Sequence, residues 1–330
     1  MLYYLLRRLI YMVIIIAAVS VVAFVIIQLP PGDYLSSHIL FLMEQGSDVS
    51  ESEIASLRTQ YGLDKPIYTQ YFLWIWNIVR YGRFGRSFLH NRPVSELIWE
   101  RLALTVAISL CTLVFEFAVA IPIGIYSAIR QYSKFDYFFT VVGYAGLATP
   151  NFLLALILMF IGYKYLGVSV GGLFSPQYLG APFSLGKVLD VISHLWIPVI
   201  VLGTAGTAGL IRVMRACLLD ELEKQYVITA RAKGLKERSL LFKYPVRVAL
   251  NPIASTIGWS LAGLISGAPI VAVVLSLPTT GPMMLTALRG QDMYLAGTFL
   301  LLLSTFTVIG TYVSDILLAL LDPRIRMEKN

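Results

Sequence analysis

Residues 226–253 read YVITARAKGLKERSLLFKYPVRVALNPI. The stretch is basic and helix-prone, and it joins two segments apolar enough to cross a bilayer, 195–214 before it and 253–277 after it. Tyr226 to Lys233 contains no glycine or proline, and Gly234 then stands where a left-handed residue would close a short helix. A second helical run, 236–243, is predicted to end before Pro245. Charge alone leaves three readings of this hairpin open: a solvated basic loop, a patch for anionic lipid heads, or a plug for a groove on a partner protein.

The chain around the hairpin is oil-like. Of its 330 residues 57% are hydrophobic and only 14% are charged, against about 25% charged in soluble domains. Apolar runs of about 20 residues are long enough to span the hydrocarbon core as helices. Six are predicted, at 9–29, 102–129, 137–163, 195–214, 253–277 and 297–320. The first follows Arg7 and Arg8, is too long for a signal-peptide core, and meets Pro30-Pro31-Gly32-Asp33 without a small-residue cleavage site, so it is predicted to be retained. The expected fold class is an all-α integral membrane protein of six transmembrane helices. Pro122, Pro150, Pro198 and Pro269 predict kinks. Gly263 and Gly267 form a GxxxG spacing that reads as internal helix packing.

Basic residues set the orientation. With the N-terminus inside, the short inner pieces hold Arg7, Arg8, Arg130, Lys134, Arg215, Lys224, Arg231, Lys233, Lys236, Arg238, Lys243, Arg247, Arg324, Arg326 and Lys329. The two short outer loops hold only Lys164, Lys187 and Arg289, and short loops rich in Lys and Arg stay on the cytoplasmic side. The predicted order is therefore a cytoplasmic end 1–8, a first span 9–29, an external segment 30–101, a five-helix core 102–320 with its cytoplasmic loop 217–250, and a cytoplasmic end 321–330. Within the external segment, 71–79 (YFLWIWNIV) is aromatic and apolar, as a helix lying in the membrane interface would be.

Cys111 and Cys217 suggest no disulfide framework, and the scattered His38, His90 and His194 suggest no metal site. No phosphate-cradling GxxxxGK[ST] run occurs; Gly180 to Lys187 has one residue too many and lacks the terminal Ser or Thr. Neither a Ser-His-Asp arrangement nor HExxH is evident. Nothing points to a cofactor or to nucleic acid. The chain is expected to be non-catalytic, so any nucleotide-driven transport needs a separate nucleotide-binding subunit. Glu116 lies near the middle of the second span. A carboxylate there is either a functional group in the path or a structural hydrogen-bonding group. Arg212 can snorkel from its span, and Asp315 falls near the inner interface.

Thr229-Ala230-Arg231-Ala232-Lys233-Gly234-Leu235 closely resembles the "EAA" loop of ABC-importer permeases in the dipeptide/oligopeptide/nickel permease family. Tyr61-Gly62-Leu63-Asp64-Lys65-Pro66-Ile67-Tyr68 and Gly82-Arg83-Phe84-Gly85-Arg86-Ser87 resemble its external signature. Pro93-Val94 with Glu100-Arg101-Leu102 and the ending Leu321-Asp322-Pro323-Arg324-Ile325-Arg326 extend the likeness over essentially the whole chain. Two departures are local: Ile228-Thr229-Ala230 replaces Glu-Ala-Ala, and Val246-Arg247 replaces a later Leu-Pro.

The resemblance implies a type I ABC importer permease fold in the inner membrane of a prokaryote. It makes Tyr226 and Thr229 to Leu235 the helix that seats in an ATPase groove, with Ala230 and Ala232 small for a close fit and Arg231 and Lys233 available to acidic rims. The partners it implies are a homologous second permease, two ATPase subunits or domains, an extracytoplasmic solute-binding protein and membrane lipids. The implied cargo is oligopeptide, with oligosaccharide as the alternative and nickel last. An ion-coupled carrier or channel is the rival class; it would need more intramembrane charge than Glu116 supplies, or an inverted repeat.

Overall fold

A computed structural model describes residues 2–28, 65–87, 89–166, 171–178, 182, 184–266, 269–290 and 292–321. Of the sequence expectations, residues 30–64 of the external segment, with Tyr61 to Asp64, lie outside the described residues, as do Gly267 and the ending 322–330.

The described residues are almost wholly helical. In order they form α1 (Leu2–Gln28), α2 (Ile67–Tyr81), a two-stranded antiparallel hairpin of β1 (Arg86–Ser87) and β2 (Arg92–Pro93), α3 (Val94–Ile129), α4 (Lys134–Ala148) and α5 (Asn151–Leu166). A 3₁₀ turn at Pro176–Tyr178 precedes α6 (Leu185–Leu222), α7 (Gln225–Ala232), α8 (Glu237–Lys243), α9 (Pro245–Ser266), α10 (Pro269–Val274), α11 (Thr280–Arg289) and α12 (Met293–Leu321).

Among the described residues four helices, α1, α3, α6 and α12, are each long and apolar enough to cross a membrane, or five spans if the bent pair α4 and α5 counts as one. One expectation changes. The predicted span 137–163 is broken by a 107° bend between α4 and α5. Thr149 there is extended (φ −86°, ψ 120°), because Pro150 pushes the preceding residue out of the helical region. Over the predicted span 253–277 the described helices are α9, to Ser266, and α10, from Pro269, with residues 267–268 outside the described residues. Pro122 and Pro198, by contrast, lie inside continuous helices. Among the described residues Gly263 has no atom within 4 Å of where a Cβ would stand, so the internal packing read from the GxxxG spacing is not found there among them.

The chain divides into two compact units. One draws on Met1–Met12, Ala103–Pro282 and Phe306–Asn330. Its interior is built where α3, α6 and α9 meet through Ala120, Met214, Leu218, Ala249 and Ile253, and where α3, α5, α6 and α10 meet through Ile108, Ala155, Ile197, Val201 and Val271. Asp136 at the start of α4 is 3% exposed. It accepts from Arg215 Nε and Nη2, both at 2.9 Å, and from the Tyr132 amide at 2.9 Å. Arg8 pairs with Asp315 at 3.2 Å. The outward faces of α4 and α5 are apolar, with Phe138, Val141, Leu156 and Phe160 exposed, as helices bathed in lipid require.

The other unit draws on Val13–Leu102 and Met283–Thr305. In it α2 lays Trp74 and Tyr71 against Phe24 of α1, while Phe72 and Trp76 stay exposed. The interface helix read from the sequence thus turns one tryptophan inward and one outward. Asp292 organises the β hairpin. One carboxylate oxygen takes the fully buried Ser87 hydroxyl and the Leu89 amide (3.3 Å); the other caps α12 through the Leu295 amide at 3.2 Å.

Asp292→Ala removes a helix cap, which costs about 1 kcal/mol, and leaves the Ser87 hydroxyl buried without an acceptor, which costs about 1–3 kcal/mol. The thermal unfolding midpoint in lipid nanodiscs should fall clearly for Asp292→Ala. It should fall less for Asp292→Asn, whose amide oxygen still accepts.

Candidate functional site

The hairpin of α7 and α8 is a small packed body. Val227, Ala230 and Leu240 are buried against one another, with Tyr244 beside them. Gly234 closes α7 at φ +78°, a conformation in which a Cβ costs roughly 1 kcal/mol or more. Its amide donates to the Arg231 carbonyl at 3.0 Å, and the Leu235 amide donates to Ala230 at 3.4 Å. This paired 5→2 and 6→1 pattern lets carbonyls at the helix end find partners. Across the turn Arg231 grips Glu237 with two bonds, Nη2 to Oε1 at 2.6 Å and Nε to Oε2 at 3.1 Å. The Arg231 guanidinium beside Glu237 holds its carboxyl below the usual carboxylate range. Tyr226 donates to Glu221, and burial together with that bond pushes its phenol up.

This arrangement divides the residues read from the sequence. Ala230 faces inward, so its small size serves the hairpin's own packing. Ala232 faces out. Arg231 is engaged by Glu237, whereas Lys233 is exposed at the tip. The outward surface combines Tyr226 (40% exposed), Ile228 (46%), Thr229, Ala232, Lys233 and Leu235 (37%). Its apolar part, Ile228 and Leu235, is what a solvated loop would not need. The sequence reading named Ile228 only as a departure from Glu-Ala-Ala and gave it no place on the outer surface.

A second feature lies on α3. Thr105, Ser109, Thr112 and Glu116 are all buried, at helical spacing, so one face of this apolar helix is polar. Thr105 bonds to Thr280, and Thr112 donates to the carbonyl of Ile108. Glu116 differs. It is 3% exposed, and its Oε2 is buried with no hydrogen-bond partner among the described residues. The carboxylate lies against Gly206, where an added Cβ would overlap it, and it lines a cavity of ≈ 180 Å³ with Asn151, Leu202, Gly206, Ser260, Gly263 and Leu264. The hydrogen bond to a neighbouring helix that the sequence left open is not found among the described residues. Asn151, Gly206 and Ser260 were not foreseen as neighbours, because they come from three other helices.

A third cluster brings Ser175, Asp190 and His194 together, which the sequence did not anticipate. The Ser175 hydroxyl donates to Asp190 Oδ1 at 2.5 Å and its amide to Oδ2 at 2.8 Å. His194 Nδ1 lies 2.8 Å from the Asp190 carbonyl. The hydroxyl therefore faces the carboxylate rather than the imidazole. A nucleophile needs the base beside it, so this cluster ties the loop before α6 to that helix's first turns.

The profile of the binding-protein-dependent transport system inner membrane component matches residues 120–327, and its N-terminal counterpart matches residues 1–109. The oligopeptide transport system permease protein AppB of Bacillus subtilis is 35% identical, over 98% of both chains. A putative peptide permease protein of Brucella suis is 31% identical over 99% of this chain and 100% of its own. The dipeptide transport system permease protein DppB of Escherichia coli is 30% identical over 100% of both. Among solved structures, the inward-facing MetNI methionine ABC transporter superposes with a TM-score of 0.54 over 68% of this chain and 96% of that one, at 14% identity. That last likeness concerns the fold.

The inward and outward faces of α7 should respond differently to added volume. Ala230→Leu overpacks the contact with Val227 and Leu240, typically at a cost of about 1–3 kcal/mol, and should speed amide hydrogen exchange throughout α7. Ala232→Leu should leave the exchange rates unchanged. Hydrogen–deuterium exchange read by mass spectrometry distinguishes the two.

Proposed function

Because this chain belongs to the family of binding-protein-dependent transport system inner membrane components, we propose that it is the permease subunit that carries oligopeptides through an ATP-driven ABC importer. The observation that carries the proposal is the α7–α8 hairpin, a capped and internally braced body with an apolar and basic outer face, on a chain without a phosphate-binding loop. Peptide is favoured over oligosaccharide because the relatives matched over their whole length are named as peptide, dipeptide or oligopeptide permeases.

The importer has this chain beside a second permease, a homologue or another copy, with two ATPase subunits on the cytoplasmic side and a solute-binding protein outside. ATP binding closes the ATPase pair, and the hairpin transmits that motion because its own parts cannot yield separately. Gly234 fixes its end, Arg231 and Glu237 bridge its helices, and Val227 and Leu240 fill it. The spans then rock between inward-open and outward-open states. Glu116 and its cavity are part of the path. Both termini and the hairpin are cytoplasmic, as the basic residues require.

The test is the reconstituted four-component complex in proteoliposomes with its binding protein. Labelled trialanine should accumulate only with ATP, and maltotriose should not. Gly234→Val, which strains the cap by roughly 1 kcal/mol, should leave the complex assembled and ATP hydrolysed while uptake falls severely; undiminished uptake would remove the hairpin from the coupling role. Orientation is read separately in intact cells. A cysteine at Lys236 in an otherwise cysteine-free chain should resist an impermeant thiol reagent and react only once the membrane is opened.

A further inference from the structure

The one buried carboxylate without a hydrogen-bond partner among the described residues sits on the wall of a cavity, and this points to what the cavity holds. Asp136 is met by Arg215 and the Tyr132 amide, and Asp292 by Ser87 and the Leu295 amide. Glu116 Oε2 has none of these. A buried carboxylate is tolerated when a cation or several donors satisfy it, and no base stands on the wall of its ≈ 180 Å³ cavity. Among the described residues the chain itself supplies no complementary group.

We infer that Glu116 receives the free α-ammonium group of a peptide in transit, so that the path selects peptides by their unblocked N-terminus. A charge-assisted bond between ammonium and carboxylate is short and strong in a site of low dielectric. The rest of the wall fits the first residue of a peptide: Asn151 and Ser260 can bond its amide group, while Leu202, Leu264 and the bare backbone of Gly206 and Gly263 accept a side chain without dictating it. A lone carboxylate is too few ligands for a divalent cation, which takes six or more oxygens. The α-ammonium is also the one cation that unblocked peptides share whatever their sequence. This inference rests on the peptide-importer reading above.

The experiment uses the assembled importer in lipid nanodiscs without its solute-binding protein, titrated calorimetrically with trialanine and with N-acetyl-trialanine. In the wild type trialanine should bind at least about tenfold more tightly, because acetylation removes the ammonium and leaves the carboxylate unpaired. In Glu116→Gln the ratio should collapse to about one. In Gly206→Ala, whose new methyl group displaces the carboxylate, trialanine should bind more weakly. Equal binding of the two ligands in the wild type overturns the inference, as does a ratio that survives Glu116→Gln or an absence of trialanine binding up to about 10 mM. A Glu116→Gln complex that fails to assemble also counts against it, since the carboxylate would then be holding a base of a partner subunit. Any of these results together with ATP-dependent trialanine uptake leaves the importer reading standing; loss of that uptake in the wild type strikes the reading itself.

Discussion

A peptide group in lipid finds no water to bond, so each backbone donor and acceptor must be satisfied within its own segment or by protein around it. That constraint makes nearly every described residue of this chain helical, and it makes the breaks informative. Between α4 and α5 the chain turns through 107° at Pro150. Pro122 and Pro198 each lack a donor as well, yet they remain within unbroken helices. Proline identity alone does not decide between a kink and a break.

The same dielectric logic governs side chains. Asp136 sits between a guanidinium and an amide and fixes the start of α4 against α6. Asp292 ties the β hairpin to the start of α12. Asp190 ties a loop to the start of α6 through both the hydroxyl and the amide of Ser175. Each of these three carboxylates is satisfied by groups the chain itself supplies, and each sits near a helix start, where amides are available. Glu116 is mid-helix, where its own backbone offers no free amide, and it faces a cavity. Its difference from the other three is positional before it is functional.

The hairpin is held rigid by its own small core, its left-handed cap and a two-bond ion pair. An exposed ion pair contributes little to stability, but across a four-residue turn it restricts how α7 and α8 can pivot. The apolar residues left outside, Ile228 and Leu235, are free to be covered by another protein.

The sequence by itself determined the membrane class, the approximate positions of α1, α3, α6 and α12, and the short helix ending at Gly234. Each of these follows from local periodicity, length or the conformational freedom of one residue. The ordered motifs also carried the family. Only the tertiary structure decided that 137–163 is broken, that Ala230 faces inward while Ala232 faces out, and that Arg231 is held by Glu237. It alone brought Asn151, Gly206 and Ser260 to Glu116, and Ser175 to Asp190. Hydropathy records how oily a segment is, not which neighbours its polar atoms meet; those neighbours come from other helices, and packing selects them.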